Sequence, residues 1–424
     1  MTSTAEALTK KQQGYHHRSD CRACGSSQLP LVLSLGETPL ANAFPLSPSE
    51  FLSERKYPLD VYFCENCSLV QLLDVVDPEI LFGHYVYVSG TSETIRAHSA
   101  VYARTVVDLL QLTADDLVYE VASNDGTLLK CFQSCGVRTL GIEPARNVAA
   151  IAVADGVPTV SRFFDETAAA DLKQEYGSAT AVIANNVLAH VDDPVGFLRG
   201  AASLISDRGL VIFEVPYLRH FLERLEYDTI YHEHLCYFSV TALLNICAKA
   251  GLSVVRIDHT SVHGGSMRVY AARKQATPHH SAEVLAVADE EAVLGYKSVE
   301  SYRRFAEGVT QNGASLLSLL KYLRADGKTI AGYGAPAKGN TLLNYAGIDT
   351  ALVEYTVDKN MLKVGSYTPG MHLPVLPVET LLERQPDFVL ILAWNFADEI
   401  MRQQQEYRNR GGRFIIPIPA LRIL

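Results

Sequence analysis

Three observations predict an α/β protein in three parts. Two Cys-x-x-Cys pairs lie near the start of the chain, Cys21–Cys24 and Cys64–Cys67. From Asp116 to about Gln275, strand-like apolar runs alternate with helical stretches, the pattern of a largely parallel, doubly wound sheet. After a stretch of helical period at 281–323 the same βα style returns, in Lys328–Gly334, Ala351–Asp358, Pro386–Trp394 and Arg413–Pro419. The expected units are a metal-stapled module over 1–75, an α/β domain over 76–280, and a helical linker with a Rossmann-like domain over 281–424.

The first unit is rich in Pro and Ser, with only short apolar runs, so it needs a staple. Cys21, Cys24, Cys64 and Cys67 can form two tight knuckles that complete a tetrahedron of thiolates around one Zn²⁺. Four protein ligands leave no open position, so this zinc is expected to be structural. The pairs are further apart than in the shortest zinc ribbons, and Pro39–Phe51 must loop out. Cys131, Cys135, Cys236 and Cys247 read as core residues.

Composition bounds the function. Of 424 residues, 48% are hydrophobic and 20% charged, as in an ordinary globular protein. A net charge of −10 argues against a nonspecific nucleic-acid binder, while leaving room for a small anionic ligand held by local donors. No uninterrupted apolar run reaches about 18 residues, which argues against a membrane span. The first residues lack the apolar core of a signal peptide, so a cytoplasmic location is expected.

The second unit carries a cofactor signature. Val118–Val121 is an apolar strand with Glu120 near its end, followed by the small and polar turn Ala122–Gly126 and a helix. Doubly wound sheets bind ligands at such strand ends. The spacing is not G-x-G-x-x-G; it fits the first motif of class I S-adenosylmethionine methyltransferases. There Ser123, Asn124 and Gly126 would face the cofactor's amino-acid portion. Glu143 follows the next strand, about 20 residues on, the offset of a ribose-binding acid. Phe163 or Phe164 could flank an adenine, and Asn185 ends the fourth strand, with His190 beyond it on the substrate side.

Tyr231-His-Glu-His234 is the densest run of proton-handling side chains. Its three polar residues are adjacent rather than spaced i,i+4, so they converge poorly on a metal. Acid/base work or plain hydrogen bonding remains for them. In the third unit, Gly332–Asn340 is a strand, a Gly-rich turn and a helix start, with Lys338 available to a phosphate and Asp358 at the next strand end. Spacing leaves two readings open, an NAD site or a nucleotide-sugar pyrophosphate site.

The cysteine pairs, Glu120–Gly126, Asn185–His190 and Tyr231–Ser239, occurring in this order, resemble the sugar C-methyltransferases of deoxysugar biosynthesis over nearly the full length. The resemblance implies a zinc-binding N-terminal module, a class I methyltransferase domain and a Rossmann-like C-terminal domain. It implies S-adenosylmethionine as cofactor and a TDP-linked 4-keto-deoxysugar as substrate, methylated beside the ketone at C-3 through an enolate. It puts Tyr85 and His190 on the substrate side, and Tyr231, Glu233 and His234 beside the reacting carbon. His234 would be the base, with Glu233 orienting it or binding sugar. Tyr333, Lys338, Asn340 and Asn395 would help hold the nucleotide-sugar. A monomer or small homo-oligomer is expected, without nucleic acid or membrane as partner. An NAD-dependent nucleotide-sugar oxidoreductase is the competing enzyme reading, and a zinc-module scaffold with degenerate cofactor domains is a third.

Overall fold

The alternation of apolar runs is realised as four sheets in a computed structural model, which describes residues 14–83, 88–91, 93–260 and 265–424. In the N-terminal module, β1 (Tyr15–His17) pairs with β5 (Asp74–Val76). A second, antiparallel sheet contains β2 (Leu31–Pro39), β3 (Lys56–Phe63) and β4 (Val70–Leu72). Along β3 the period of two buries Tyr57, Leu59, Val61 and Phe63 on one face. The insertion at 39–51 does loop out. It docks on the C-terminal domain, where the Tyr367 amide donates to the Pro45 carbonyl at 2.9 Å and Phe51 stacks on His372 at 3.7 Å.

The middle sheet consists of β6 (Leu117–Val121), β7 (Arg138–Ile142), β8 (Thr159–Val160), β9 (Ala179–Asn185), β10 (Ile205–Pro216), β12 (Leu252–Thr260) and β13 (Ser266–Arg273). Its order is β12-β13-β10-β9-β6-β7-β8. The first five in sequence run parallel, and β13 lies antiparallel between β10 and β12. Helices 166–176 and 194–204 cover one face and helices 93–110 and 127–134 the other, each contributing its buried stripe to a core cluster. One strand not anticipated is β11 (Cys236–Tyr237). It leaves the middle domain and completes the N-terminal sheet by pairing with β4.

Helices 282–293 and 299–325 lead to the C-terminal sheet. It contains β14 (Ile330–Tyr333), β15 (Thr356–Asp358), β16 (Val375–Pro377), β17 (Phe388–Ile391), β18 (Arg413–Ile416) and β19 (Arg422–Ile423), ordered β16-β15-β14-β17-β18-β19. All pairs are parallel except the last. Strand order reverses at β14, where helix 337–346 begins beside the residues preceding His232. Among the described residues, no helix is long and apolar enough to cross a membrane.

Candidate active site

A cavity of about 920 Å³ opens at the carboxyl ends of β6, β9 and β10. Its walls include Glu120, Ser123, Asn124, Glu143, Phe163 and Asn185 from the strand ends, and His190, Tyr231, His234 and Lys338 from the loops above. Residues far apart in sequence therefore share one space. Tyr85 lies outside the described residues.

The cofactor wall is held open by its own backbone. Gly126, at φ 76°, starts helix 127–134, and a Cβ there would meet Val157 at 2.9 Å. The amides of Asn124 and Ala145 donate to the two oxygens of Glu143, each at 2.8 Å. Glu143 thereby shapes the loop, and each oxygen keeps a lone pair for a ribose hydroxyl. Burial pushes its carboxyl upward against these amides. Glu120 is 6% exposed, and its Oε2, like the Ser123 hydroxyl, has no hydrogen-bond partner among the described residues. Burial, with Asp125 and Glu143 nearby, holds the Glu120 carboxyl well above the usual range. A buried, unpartnered carboxyl at a strand end fits the ammonium of an amino-acid ligand, which would repair both deficits. Phe163, 43% exposed, faces the cavity, while Phe164 turns onto Phe197 with ring centroids 5.2 Å apart.

Strand register adds residues that sequence motifs do not reveal. Glu120 aligns with Ile183, while Asn185 aligns with Glu214 and Glu214 with Arg268, so all these side chains share one face. Helix 93–110 covers this row. His98 Nε2 lies 3.1 Å from Glu214, Arg268 Nε donates to Glu214 at 2.7 Å, and the Tyr102 hydroxyl donates to Asn185 at 3.2 Å. Only the period-two alternation at the ends of β10 and β13 could have hinted at this network.

Above the strands, His234 is fixed at both nitrogens. Nδ1 is 2.9 Å from the Thr229 carbonyl, which can only accept, so Nδ1 carries the proton. Nε2 is then the basic atom, and the Tyr231 hydroxyl donates to it at 2.9 Å. His190 lies beside it, with ring centroids 5.1 Å apart, and stacks on Phe82 at 5.5 Å. Burial depresses His190 to about 4, so this imidazole is neutral at physiological pH. Glu233 points away from the cavity: Asn42 Nδ2 donates to its Oε1 at 2.6 Å. The expectation that Glu233 orients His234 is therefore corrected, because adjacent side chains diverge and Thr229 with Tyr231 does the orienting. His232 is 1% exposed, packs on Tyr57, and belongs to the domain contact.

The cysteine knuckles form as drawn from their spacing. The Gly25 amide donates to the Cys21 carbonyl and the Ser68 amide to the Cys64 carbonyl, both at 2.8 Å. All four thiol sulfurs lie within 4.8 Å of one another, a donor set that suits Zn²⁺. Among the described residues no other cluster of this kind occurs.

Comparison with known proteins gives the same division of labour. A zinc-binding-domain model matches residues 21–82, a methyltransferase-domain model 96–257, and a C-methyltransferase C-terminal-domain model 261–419. The chain is 37% identical over 405 residues to C-methyltransferase NovU of Streptomyces niveus, covering 96% of each chain. This chain belongs to the C-methyltransferase family. It takes S-adenosylmethionine as methyl donor and zinc as structural metal. Two solved structures are more distant. The magnesium protoporphyrin IX methyltransferase of Synechocystis PCC 6803 is 17% identical, with TM-score 0.32, over 46% of this chain and 88% of that one. The PH0226 protein of Pyrococcus horikoshii OT3 is 12% identical, with TM-score 0.36, over 44% and 95%.

Of the four residues expected to hold a nucleotide-sugar in this C-methyltransferase, only Lys338 reaches the cavity. Tyr333 is 3% exposed and packs in the core with Val357, Leu381 and Ile391, because both faces of a parallel sheet are covered by other elements. Asn340 is 1% exposed and donates to the Ala41 carbonyl at 2.7 Å, tying down the 39–51 loop. Asn395 sits half-buried in the turn Trp394–Phe396, away from the cavity wall. The two Rossmann-like units do share one device: the Ala335 amide donates to Asp358 at 2.7 Å, as the Asn124 amide does to Glu143.

Proposed function

We propose that this C-methyltransferase acts on a TDP-linked 4-keto-deoxysugar in the cytoplasm, replacing a hydrogen beside the ketone, at C-3, with a methyl group. The observation that carries the reading is the His234 tautomer. His234 lines a cavity shared with the cofactor wall, its Nδ1 proton is held on a carbonyl, and its basic Nε2 accepts from Tyr231, which lines the same cavity. A hydrogen on carbon is acidic enough for imidazole only when a neighbouring carbonyl can take up the charge, which points to a keto substrate.

In this mechanism the Tyr231 hydroxyl turns from Nε2 to a sugar oxygen when substrate enters. Nε2 then removes the proton, and neutral His190 and Tyr231 line the space where the enolate forms. S-adenosylmethionine, when bound, supplies an electrophilic methyl group. Glu120 would hold its ammonium, Glu143 its ribose and Phe163 its adenine, with Asn185 between cofactor and substrate. Glu233 would contribute from outside the cavity by holding the loop to Asn42.

The test uses solvent exchange and product structure. In D₂O without methyl donor, the protein should wash deuterium into the carbon beside the ketone of TDP-4-keto-6-deoxyglucose. His234→Ala should lose exchange and methylation together while binding S-adenosylhomocysteine normally. Exchange at wild-type rate in His234→Ala sinks the base assignment. A methyl group found on C-5, the other carbon beside the ketone, sinks the position.

A further inference from the structure

Three buried polar atoms at the junction of the middle and C-terminal domains have no hydrogen-bond partner among the described residues: Lys338 Nζ, Glu226 Oε1 and Asp228 Oδ1. They come from elements more than a hundred residues apart. Glu226 and Asp228 precede the Tyr231–His234 run, whereas Lys338 stands in the first turn of helix 337–346. Packing forces the meeting. Thr341 donates to the Ile230 carbonyl at 3.0 Å, Trp394 Nε1 donates to Asp228 Oδ2 at 2.6 Å, and Lys338 Nζ lies 5.5 Å from the Trp394 ring centre. Lys338 and Glu226 both line the cavity that holds His234 and Tyr231.

The charge around this lysine is the deciding feature. A diphosphate brings about two negative charges and is ordinarily met by several cations or backbone amides. Lys338 instead has two carboxyls for neighbours, and its attraction opposes the burial that raises both of them. Arg224 approaches Glu226 only to 4.0 Å, from a half-exposed position. Lys338 lines the reaction cavity with acids for neighbours and with no hydrogen-bond partner for its ammonium among the described residues, a setting that suits an oxygen gaining charge during reaction better than one that arrives fully charged.

Resting on the function proposed above, we infer that Lys338 is a catalytic residue of the enolisation step, donating a hydrogen bond to the ketone oxygen as it becomes an enolate. The step balances without further reactants. The C–H bond breaks, its proton goes to His234 Nε2, and its electron pair forms the C=C bond. The carbonyl π pair moves onto the oxygen, where Lys338 keeps its proton and stabilises the charge. Glu226 and Asp228 position the ammonium. The C-terminal domain thus completes the reaction site.

Lys338→Met distinguishes this from a diphosphate contact. At saturating TDP-4-keto-6-deoxyglucose, deuterium exchange in the variant should fall by roughly 10²–10³, the cost of losing one oxyanion donor. Binding of TDP alone and of S-adenosylhomocysteine should stay within about twofold of wild type. Normal exchange, or a loss of TDP affinity with normal exchange at saturation, overturns the inference. Should the methionine variant fail to bind S-adenosylhomocysteine, Lys338→Ala with added ethylammonium decides. A rise in exchange supports the role, and no rise overturns it. Absence of exchange in the wild type sinks the proposed reaction itself, whereas wild-type exchange with an unaffected variant sinks only the role of Lys338.

Discussion

The amide of Leu72 donates to the carbonyl of Leu235 at 3.0 Å, joining the cysteine-bearing sheet to the residue that follows His234. The Leu235 amide in turn donates to the Ala189 carbonyl at 2.7 Å, beside His190. Both candidate catalytic imidazoles therefore lean on one short segment clamped between two domains. Around the same metal cluster, Gln71 donates to the Cys21 sulfur at 3.1 Å and Asn245 to the Cys67 carbonyl at 3.4 Å. The cysteine-bearing module thus packs directly against the segment that carries His234.

Removing the metal should therefore impair turnover before cofactor binding. Cys67→Ser, or wild type stripped by a chelator, should lose kcat by roughly 10- to 100-fold, in the range found when support around a metal or its ligands is lost. S-adenosylhomocysteine affinity should change little. Hydrogen exchange at the Leu72 and Leu235 amides should accelerate. Protection at these amides that is unaltered after zinc loss would refute the coupling.

Glu120 should show a trade between stability and binding. Its carboxyl is raised by burial, so above the ordinary carboxylate range it ionises at a cost to the folded state. Glu120→Gln should melt higher than wild type in ligand-free protein at pH 8. It should also bind S-adenosylhomocysteine more weakly by about 1.5–3 kcal/mol, the worth of a hydrogen bond to a charged group. Affinity for 5′-methylthioadenosine, which lacks the amino acid, should be unchanged. Calorimetry with the two ligands separates these outcomes.

Tyr231→Phe removes the donor to His234 Nε2 and leaves Nδ1 on the Thr229 carbonyl. Folding and cofactor binding should survive, because the ring keeps its packing 4.0 Å from His234. We expect kcat to drop by about 10- to 100-fold if the hydroxyl serves a sugar oxygen in the transition state. Unchanged kcat would leave Tyr231 as packing alone.

Glu233 predicts a pH dependence of stability. Burial pushes its carboxyl up to about 7, against the Asn42 hydrogen bond and the charge of Lys363. In the unfolded chain it titrates near about 4.3. Between those values the folded state holds a proton that the unfolded state has lost, so stability falls as pH rises through that window. The whole effect is on the order of 3 kcal/mol and is fully developed above pH of about 7. Glu233→Gln should melt higher than wild type at pH 8 and show no such advantage near pH 4. Parallel melting curves across that range would contradict it.

Much of this protein is legible along the chain because its chemistry is local. Cys-x-x-Cys spacing specifies a knuckle, and the run from Glu120 to Gly126 specifies a strand, a tight turn and a helix start within seven residues. The order of α/β elements follows from apolar period alone, and so do the residues at the ends of β6, β7 and β9. What only the tertiary structure decided is which distant groups face one another. Glu233 and His234 are neighbours in sequence, yet one meets Asn42 outside the cavity and the other meets Tyr231 inside it. Tyr333 and Lys338 share one motif, but the strand buries the first in a core while the helix start carries the second to the cavity. The reason is geometric. Burial and strand register assign each side chain to a face, and the pairing of β4 with β11 and the packing of helix 337–346 bring those faces together across distances that no local pattern encodes.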